Sequence, residues 1–322
     1  MVEGKPAVNF LRAMLYLSPS IILLAIFTFY PVFHTFMISF QENYNYMKGT
    51  FTGWGFGNYE ILFKSTFLRP SIANTMIIVF VSVPLSLILS LLIAVALNSI
   101  KAFKKILQTV FFLPYVTNTI AIGMVFAVMF ESRQGLVNAF IRMCGGIGIN
   151  WLGGNTEFNL LFKGFELGFI NPAYLTSLVV LLIYIIWNSL PFKILILLSS
   201  LQSIDKQYYQ AAQIDGASKF KTFMNITVPF VSPQLVYLMI TSFIGAWKEY
   251  SSIDAIFGQS GGRKDDPKNM ATVVWHIYAY VSGTKLKSTS MGVAAALAIV
   301  LFIIILLFTA LNRYISNKRV HY

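Results

Sequence analysis

The sequence contains one cysteine, Cys144, and three scattered histidines, His34, His276 and His321. A single thiol excludes an internal disulfide, and these four residues show no metal-ligand spacing, so no metal is expected and Cys144 reads as packing. Charge is scarce as well: 11% of the 322 residues are charged, against about a quarter in an ordinary soluble domain. No Gly-x-x-x-x-Gly-Lys-Ser/Thr run occurs, so the chain has no phosphate cradle of its own. There is no His-Glu-x-x-His helix and no cluster of His or Asp within the apolar stretches, and the chain is not read as an enzyme.

What fills the sequence is apolar. Hydrophobic residues make up 57% of it and the mean hydropathy is +0.69, too little polar surface to cover a folded chain in water. The formal charge of +12 does not point to nucleic acid, because the basic residues flank apolar runs and form no long cluster with interleaved aromatics. Membrane anchoring explains them.

A helix needs about 20 apolar residues to cross the hydrocarbon core, and six stretches qualify: Met14 to Phe40, Ile72 to Leu97, Val110 to Phe130, Tyr174 to Leu198, Pro229 to Trp247 and Met291 to Leu311. The expected fold is an all-α integral membrane protein of about six spans, in one transmembrane domain covering residues 1–322. Lys5 and Arg12 precede the first stretch, but its apolar run is far longer than a signal-peptide core, so it is expected to remain as a helix. Six spans place both termini on one side. The short segments on that side carry Lys5, Arg12, Lys101, Lys104, Lys105, Lys206, Lys219, Lys221, Arg313, Lys318 and Arg319, and their density favours the cytoplasm. The longer opposite loops, which carry Arg263, Lys264 and Lys268, read as caps over the bundle, with turns at Gly145-Gly146-Ile147-Gly148 and Gly261-Gly262.

The segment 203–229 is the one inner loop of substantial length. Asp205 is placed to cap a first short helix, and Ala211 and Ala212 favour helix with little bulk. Gly216 supplies a break where φ can be positive. Phe220, Phe223 and Ile226 follow at three-residue spacing, and Pro229 and Pro233 open the next span. Local physics leaves two readings open: a knob gripped by another protein, or a hairpin resting on its own bundle.

Gln210-Ala-Ala-Gln-Ile-Asp-Gly-Ala217, followed by Phe223, Ile226, Pro229 and Pro233, resembles the "EAA" loop of permease subunits of binding-protein-dependent ABC importers. The resemblance extends along nearly the whole chain. Phe56-Gly-Asn-Tyr59, Phe112-Leu-Pro114, Gly135-Leu-Val-Asn138 and Trp187 are similar to the carbohydrate branch, with its maltose, glycerol-3-phosphate and multiple-sugar permeases. It implies a type I importer permease whose 203–229 loop docks on a cytoplasmic ATPase through Gln210, Ala211, Ala212, Asp215, Gly216 and Ala217. In the family a Glu usually stands where Gln210 stands here, which removes a charge and keeps hydrogen-bonding capacity. The implied partners are a homologous second permease, two ATPase subunits that bind ATP and Mg, an extracellular solute-binding protein and a sugar. The implied location is the prokaryotic plasma membrane, multi-pass, with both termini cytoplasmic.

Polar residues inside spans are expensive and draw attention. Trp187-Asn-Ser-Leu-Pro191-Phe-Lys193 interrupts the fourth span, where Pro191 removes a backbone donor and is expected to kink the helix. Matching the maltose-permease pattern puts Ser189, Leu190, Phe192, Ser242, Ala246 and Glu249 at solute-lining positions, and Trp187 adds a ring face suited to a sugar. Against this stand plainer readings: Trp187, Trp247 and Tyr250 as packing or interface residues, Ser189 bonded to a carbonyl freed by Pro191, Lys193 snorkelling, and Lys248 and Glu249 as anchors. The competing function is an ion-gradient-driven secondary transporter, which calls for buried carboxylates that the span interiors almost wholly lack. A further alternative is an ABC importer of a non-sugar polar solute such as glycerol-3-phosphate.

Overall fold

A computed structural model describes residues 6–100, 104–152, 172–258, 261, 270–283 and 290–319. Lys5, Lys101, Arg263, Lys264, Lys268 and His321 lie outside the described residues. The chain divides into two compact units, residues 1–65 with 277–302, and residues 66–276 with 303–322.

In the first unit, α1 (Pro6–Leu24), a π-helical turn (Ala25–Phe29) and α2 (Tyr30–Ser39) form the first span. A two-residue hairpin pairs β1 (Gln41–Glu42) with β2 (Gly53–Trp54), and α3 (Gly57–Lys64) follows. The Phe56-Gly-Asn-Tyr59 motif acquires a physical role here. Asn58, 4% exposed, donates to the carbonyls of Ser39 at 3.1 Å and Gln41 at 2.9 Å, and the Tyr59 hydroxyl donates to Ser39 Oγ at 2.8 Å. The Glu42 carboxylate accepts from Gly57 N–H at 3.0 Å. These bonds staple α3 to the end of the first span. Gly292 lies so close to Asn58 that a β-carbon there would sit 2.5 Å from its side-chain nitrogen.

The described residues of the second unit form helices joined by turns and short irregular segments, with no strand among them. It comprises α4 (Leu68–Ser99), α5 (Lys104–Val116), α6 (Thr119–Met129), α7 (Leu136–Met143), α8 (Pro172–Gln202), α9 (Lys206–Ile214), α10 (Lys219–Thr222), a π turn (Phe223–Thr227), α11 (Val228–Trp247) and α12 (Ser251–Phe257). Two further helices, α13 (Val273–Ser282) and α14 (Met291–Arg319), belong partly to each unit. α4 runs along α8 and α11. Lipid tails are as apolar as Leu, so such helices associate through close packing of small side chains rather than through escape from water. Accordingly Ser82, Ser86, Ser90 and Ala94 repeat every four residues along one buried stripe of α4. Around the last of them Leu97, Ile194, Leu197, Leu201, Val231 and Leu238 close a core.

The span count differs from the sequence expectation at one place. Among the described residues, five helices are long and apolar enough to cross a membrane, and the third expected span is a bent pair, 106–116 and 119–129, meeting at 99°. The cause is local. Pro114 lacks the N–H that would continue α5, and Asn118 starts a new helix by accepting from the N–H groups of Ile120 at 2.9 Å and Ala121 at 3.3 Å. The fifth span also differs: the turn carrying Phe220, Phe223 and Ile226 is no separate element but runs through the π turn into α11, giving one helical stretch Lys219–Trp247. α8 continues as a single helix through Pro191.

Candidate functional site: a membrane cavity and a hairpin at the end of the spans

Two constructions in the second unit carry the functional residues. The first follows α8. Asp205 caps α9 by accepting from Gln207 N–H at 3.0 Å. The helix ends in a Schellman turn: Gly216 N–H donates to Gln213 O at 3.1 Å and Ala217 N–H to Ala212 O at 2.9 Å. Gly216 takes φ +68, and a β-carbon there would meet nothing within 4 Å, so the glycine is required by backbone conformation and not by space. Ser218 caps α10 through Lys221 N–H at 3.3 Å. Tyr209 and Thr227 share a hydroxyl hydrogen bond of 3.2 Å, and the Tyr208 ring lies 4.8 Å from that of Phe230, so the hairpin is tied to α11. Between its arms lies a groove of about 400 Å³ bounded by Ala211, Ala212, Asp215, Gly216 and Ala217 with Lys221 opposite. Of the six expected coupling residues, Gln210 is exposed but off the groove, and Ala212 is buried in the hairpin. Ile214 and Phe220 stand out at 87% and 74% exposure, apolar residues that the hairpin itself does not cover.

The second construction is a cavity of about 450 Å³ among α4, α5, α8 and α11. Its wall carries a set of hydroxyl and amide groups: Ser82 and Ser86 from α4, Asn188 and Ser189 from α8, Thr241 and Ser242 from α11. An aromatic face is added by Phe192, whose ring stacks on Tyr115 at 5.6 Å and 16°. Two charged groups face the same space. Lys193 is 6% exposed; its ammonium donates to Ser86 Oγ and, at 3.3 Å, to Ser189 Oγ. Both hydroxyls direct their own protons to carbonyls, Ser86 to Val83 at 3.0 Å and Ser189 to Ile186 at 2.8 Å, which leaves their lone pairs for the lysine. Glu249 accepts from Ser252 N–H at 3.0 Å at the start of α12, where the helix dipole favours a negative charge.

Ser189, Phe192, Ser242, Ala246 and Glu249 therefore meet at one cavity. Trp187 and Leu190 do not: Trp187 packs on Phe126 at 5.3 Å, and Leu190 packs against the core of α4, α8 and α11. Lys193 does not snorkel. It is held inside by two serines one helix apart, and Ser189 bonds Ile186 O rather than the Trp187 carbonyl that Pro191 frees.

The chain matches the family model described as "Binding-protein-dependent transport system inner membrane component" over residues 86–321. It belongs to that family. It is thus a multi-pass membrane transport component and not an enzyme. It is 30% identical over 307 residues to the arabinooligosaccharides transport system permease protein AraP of Bacillus subtilis (strain 168), covering 94% of this chain and 88% of the relative. It is 27% identical to the lactose transport system permease protein LacF of Rhizobium radiobacter, covering 95% and 94%. The trehalose/maltose transport system permease protein MalF of Thermococcus litoralis is also 27% identical, with 95% and 93% covered. Among solved structures, a bacterial ABC transporter involved in the import of the acidic polysaccharide alginate superposes with a TM-score of 0.74 at 18% identity, covering 97% of this chain and 96% of that one. The fold is that of an ABC importer permease.

Within this permease fold, the sequence reading missed the serines of α4, and with them the anchor of Lys193. The signal was present as Ser82, Ser86 and Ser90 at four-residue spacing inside an apolar run, one polar stripe on a span. One further motif needs its context. Gly258-Gln-Ser-Gly-Gly262 has the letters of a Gly-x-Ser-x-Gly nucleophile elbow, and its residues 259, 260 and 262 lie outside the described residues. It follows helix α12, whereas such an elbow needs a preceding strand.

Proposed function

We propose that this chain is the permease subunit of an importer that moves a sugar or oligosaccharide into the cytoplasm by alternating access, with energy supplied by partner ATPases. The observation that carries the solute class is the cavity between α4, α5, α8 and α11. A carbohydrate offers many hydroxyls and apolar ring faces, and this wall offers serine, threonine and asparagine side chains beside stacked Phe192 and Tyr115. Lys193 donates only, and Glu249, when ionised, accepts only, so a sugar hydroxyl can accept from one and donate to the other. The names of the curated relatives, which transport arabinooligosaccharides, lactose and trehalose or maltose, favour the same class.

The ATPase is engaged through the hairpin at 203–229. Its groove is the size of a few side chains, its backbone is fixed by the Asp205 cap and the Gly216 turn, and Ile214 and Phe220 present apolar area to a partner. On this reading the hairpin and both termini are cytoplasmic. The assembly contains a second homologous permease, two ATPase subunits that bind ATP and Mg, and an external solute-binding protein.

The test is uptake of labelled maltose, lactose and arabino-oligosaccharides by cells expressing the complete transporter, with vanadate or a protonophore added separately. The expected result is saturable uptake of one of these sugars that vanadate stops and a protonophore leaves largely intact while ATP is maintained. Uptake that collapses with the proton gradient at constant ATP contradicts the proposal and restores a gradient-driven transporter.

A further inference from the structure

We propose that α7 (Leu136–Met143) is an in-plane membrane helix that lies in the lipid interface at the end of the spans opposite the 203–229 hairpin. The observations come from its two faces and its tether. At 100° per residue, Leu136, Phe140 and Met143 fall within about 60° of one another around the helix, and Asn138 falls on the far side. The first three are exposed at 67%, 68% and 85%, Ile147 beyond the helix at 69%, and Asn138 is fully buried. Three large apolar groups on one side of a short helix form an outward face that the second unit leaves uncovered.

The tether sets the depth. Asn138 donates to Ser132 O at 2.9 Å and Ile149 O at 2.6 Å, and its Oδ1 accepts from Ile149 N–H at 2.9 Å and from the Trp151 indole at 3.1 Å. Trp151 in turn packs edge-on against Phe130 at 5.5 Å, at the end of the bent third span, and its carbonyl accepts from Ser177 Oγ at 3.1 Å. α8 has 31 residues, about 46 Å of helix, so a hydrocarbon core of about 30 Å leaves about 8 Å, or five residues, beyond it at each end. Ser177 is five residues past Pro172. The segment that holds α7 is therefore bonded to the fourth span at the level where that span leaves the hydrocarbon, and Trp151 sits where tryptophan is enriched at membrane interfaces.

Charge completes the match. Arg133 precedes α7, and Arg142 lies on the Asn138 side of the helix, where it donates to Arg133 O at 2.8 Å. The nearby Glu131 is engaged locally, its carboxyl held below the ordinary range by the backbone N–H groups of Gln134 and Arg133. An apolar outward face with two arginines in the same short segment fits a lipid surface with anionic headgroups.

The experiment uses the full-length chain with Cys144→Ser, in nanodiscs of phosphatidylethanolamine and phosphatidylglycerol, spin-labelled after Leu136→Cys, Phe140→Cys or Met143→Cys. Val128→Cys on the 70% exposed face of α6 and Gln134→Cys in the preceding turn serve as the lipid and water references. The expected result is that labels at all three α7 positions resemble Val128, accessible to oxygen and shielded from a water-soluble nickel reagent, with greater shielding as the phosphatidylglycerol fraction rises. Nickel accessibility equal to that at Gln134 overturns the proposal, because the face is then in water. Exclusion of both reagents overturns it as well, because the face is then covered by protein, whether a second copy or another subunit.

Discussion

Replacing Lys193 by Met separates a transport role from a structural one. A lysine in a membrane span costs about 2.5–3.5 kcal/mol to insert, and Lys193→Met removes that cost while keeping the apolar stem. The loss on the other side is two charge-assisted hydrogen bonds, to Ser86 and Ser189, worth about 1.5 kcal/mol each at the low end of the range for a charged donor. Neither serine is left with an orphaned proton, because both already donate to backbone carbonyls. The terms nearly cancel, so stability should change by less than about 1 kcal/mol, a shift of a few degrees in midpoint for a chain of this size. Transport should not be spared. Losing one charged hydrogen bond to a sugar hydroxyl, at about 1.5–3 kcal/mol, corresponds to about 10- to 150-fold in uptake. The assay pairs thermal unfolding of the purified transporter with sugar-stimulated ATP hydrolysis in proteoliposomes. A large loss of stability with unchanged transport per folded molecule would instead make Lys193 a helix-packing anchor with no part in transport.

Other perturbations have equally definite outcomes. Asn138→Ala leaves Ile149 N–H and the Trp151 indole without their acceptor and should cost about 3 kcal/mol, seen as a lower unfolding midpoint; Asn138→Asp should recover part of it, since the acceptor oxygen remains. Gly216→Ala forces a side chain into φ +68 and should cost about 1–2 kcal/mol, expressed as reduced ATPase association more than as global unfolding. His276 is buried against Phe67, the ring centroids 4.4 Å apart, with no partner for Nδ1 among the described residues, and burial pushes its pKa down to about 4. The unfolded chain, with the ordinary value near 6.5, therefore takes up the proton first as pH falls. The full stability is present above about pH 6.5, and about 3 kcal/mol is lost between there and about pH 4. His276→Gln should flatten that slope in midpoints recorded from pH 7.5 to 4.

The spans were legible because hydrocarbon thickness imposes a length that hydropathy reveals directly. The hairpin was legible because Asp205 and Gly216 act locally: a cap and a positive-φ turn need no tertiary partner. The bend of the third span was encoded in Pro114 and Asn118, yet the surrounding apolar run hid it, since a length count registers no break where both halves are apolar. The cavity was half legible. Residues on α8 and α11 could be named one span at a time, but Lys193 meets Ser86 across 107 positions of sequence, and no period in α8 announces a serine on α4. For the same reason the permease pattern points to Leu190 and the ring chemistry to Trp187, and the rotation of α8 turns both away from the cavity.

In the proposed function the 203–229 hairpin receives the ATPase stroke. Ala211 is the place to probe it, since Ala211 is exposed on the groove and Ala212 is buried. Ala211→Cys in the Cys144→Ser background should crosslink to a cysteine-bearing ATPase subunit, with a yield that differs between nucleotide-free and ATP-trapped transporter. A folded, active transporter in which the introduced thiol reacts freely with a soluble maleimide in both states and never crosslinks to the ATPase would contradict the account.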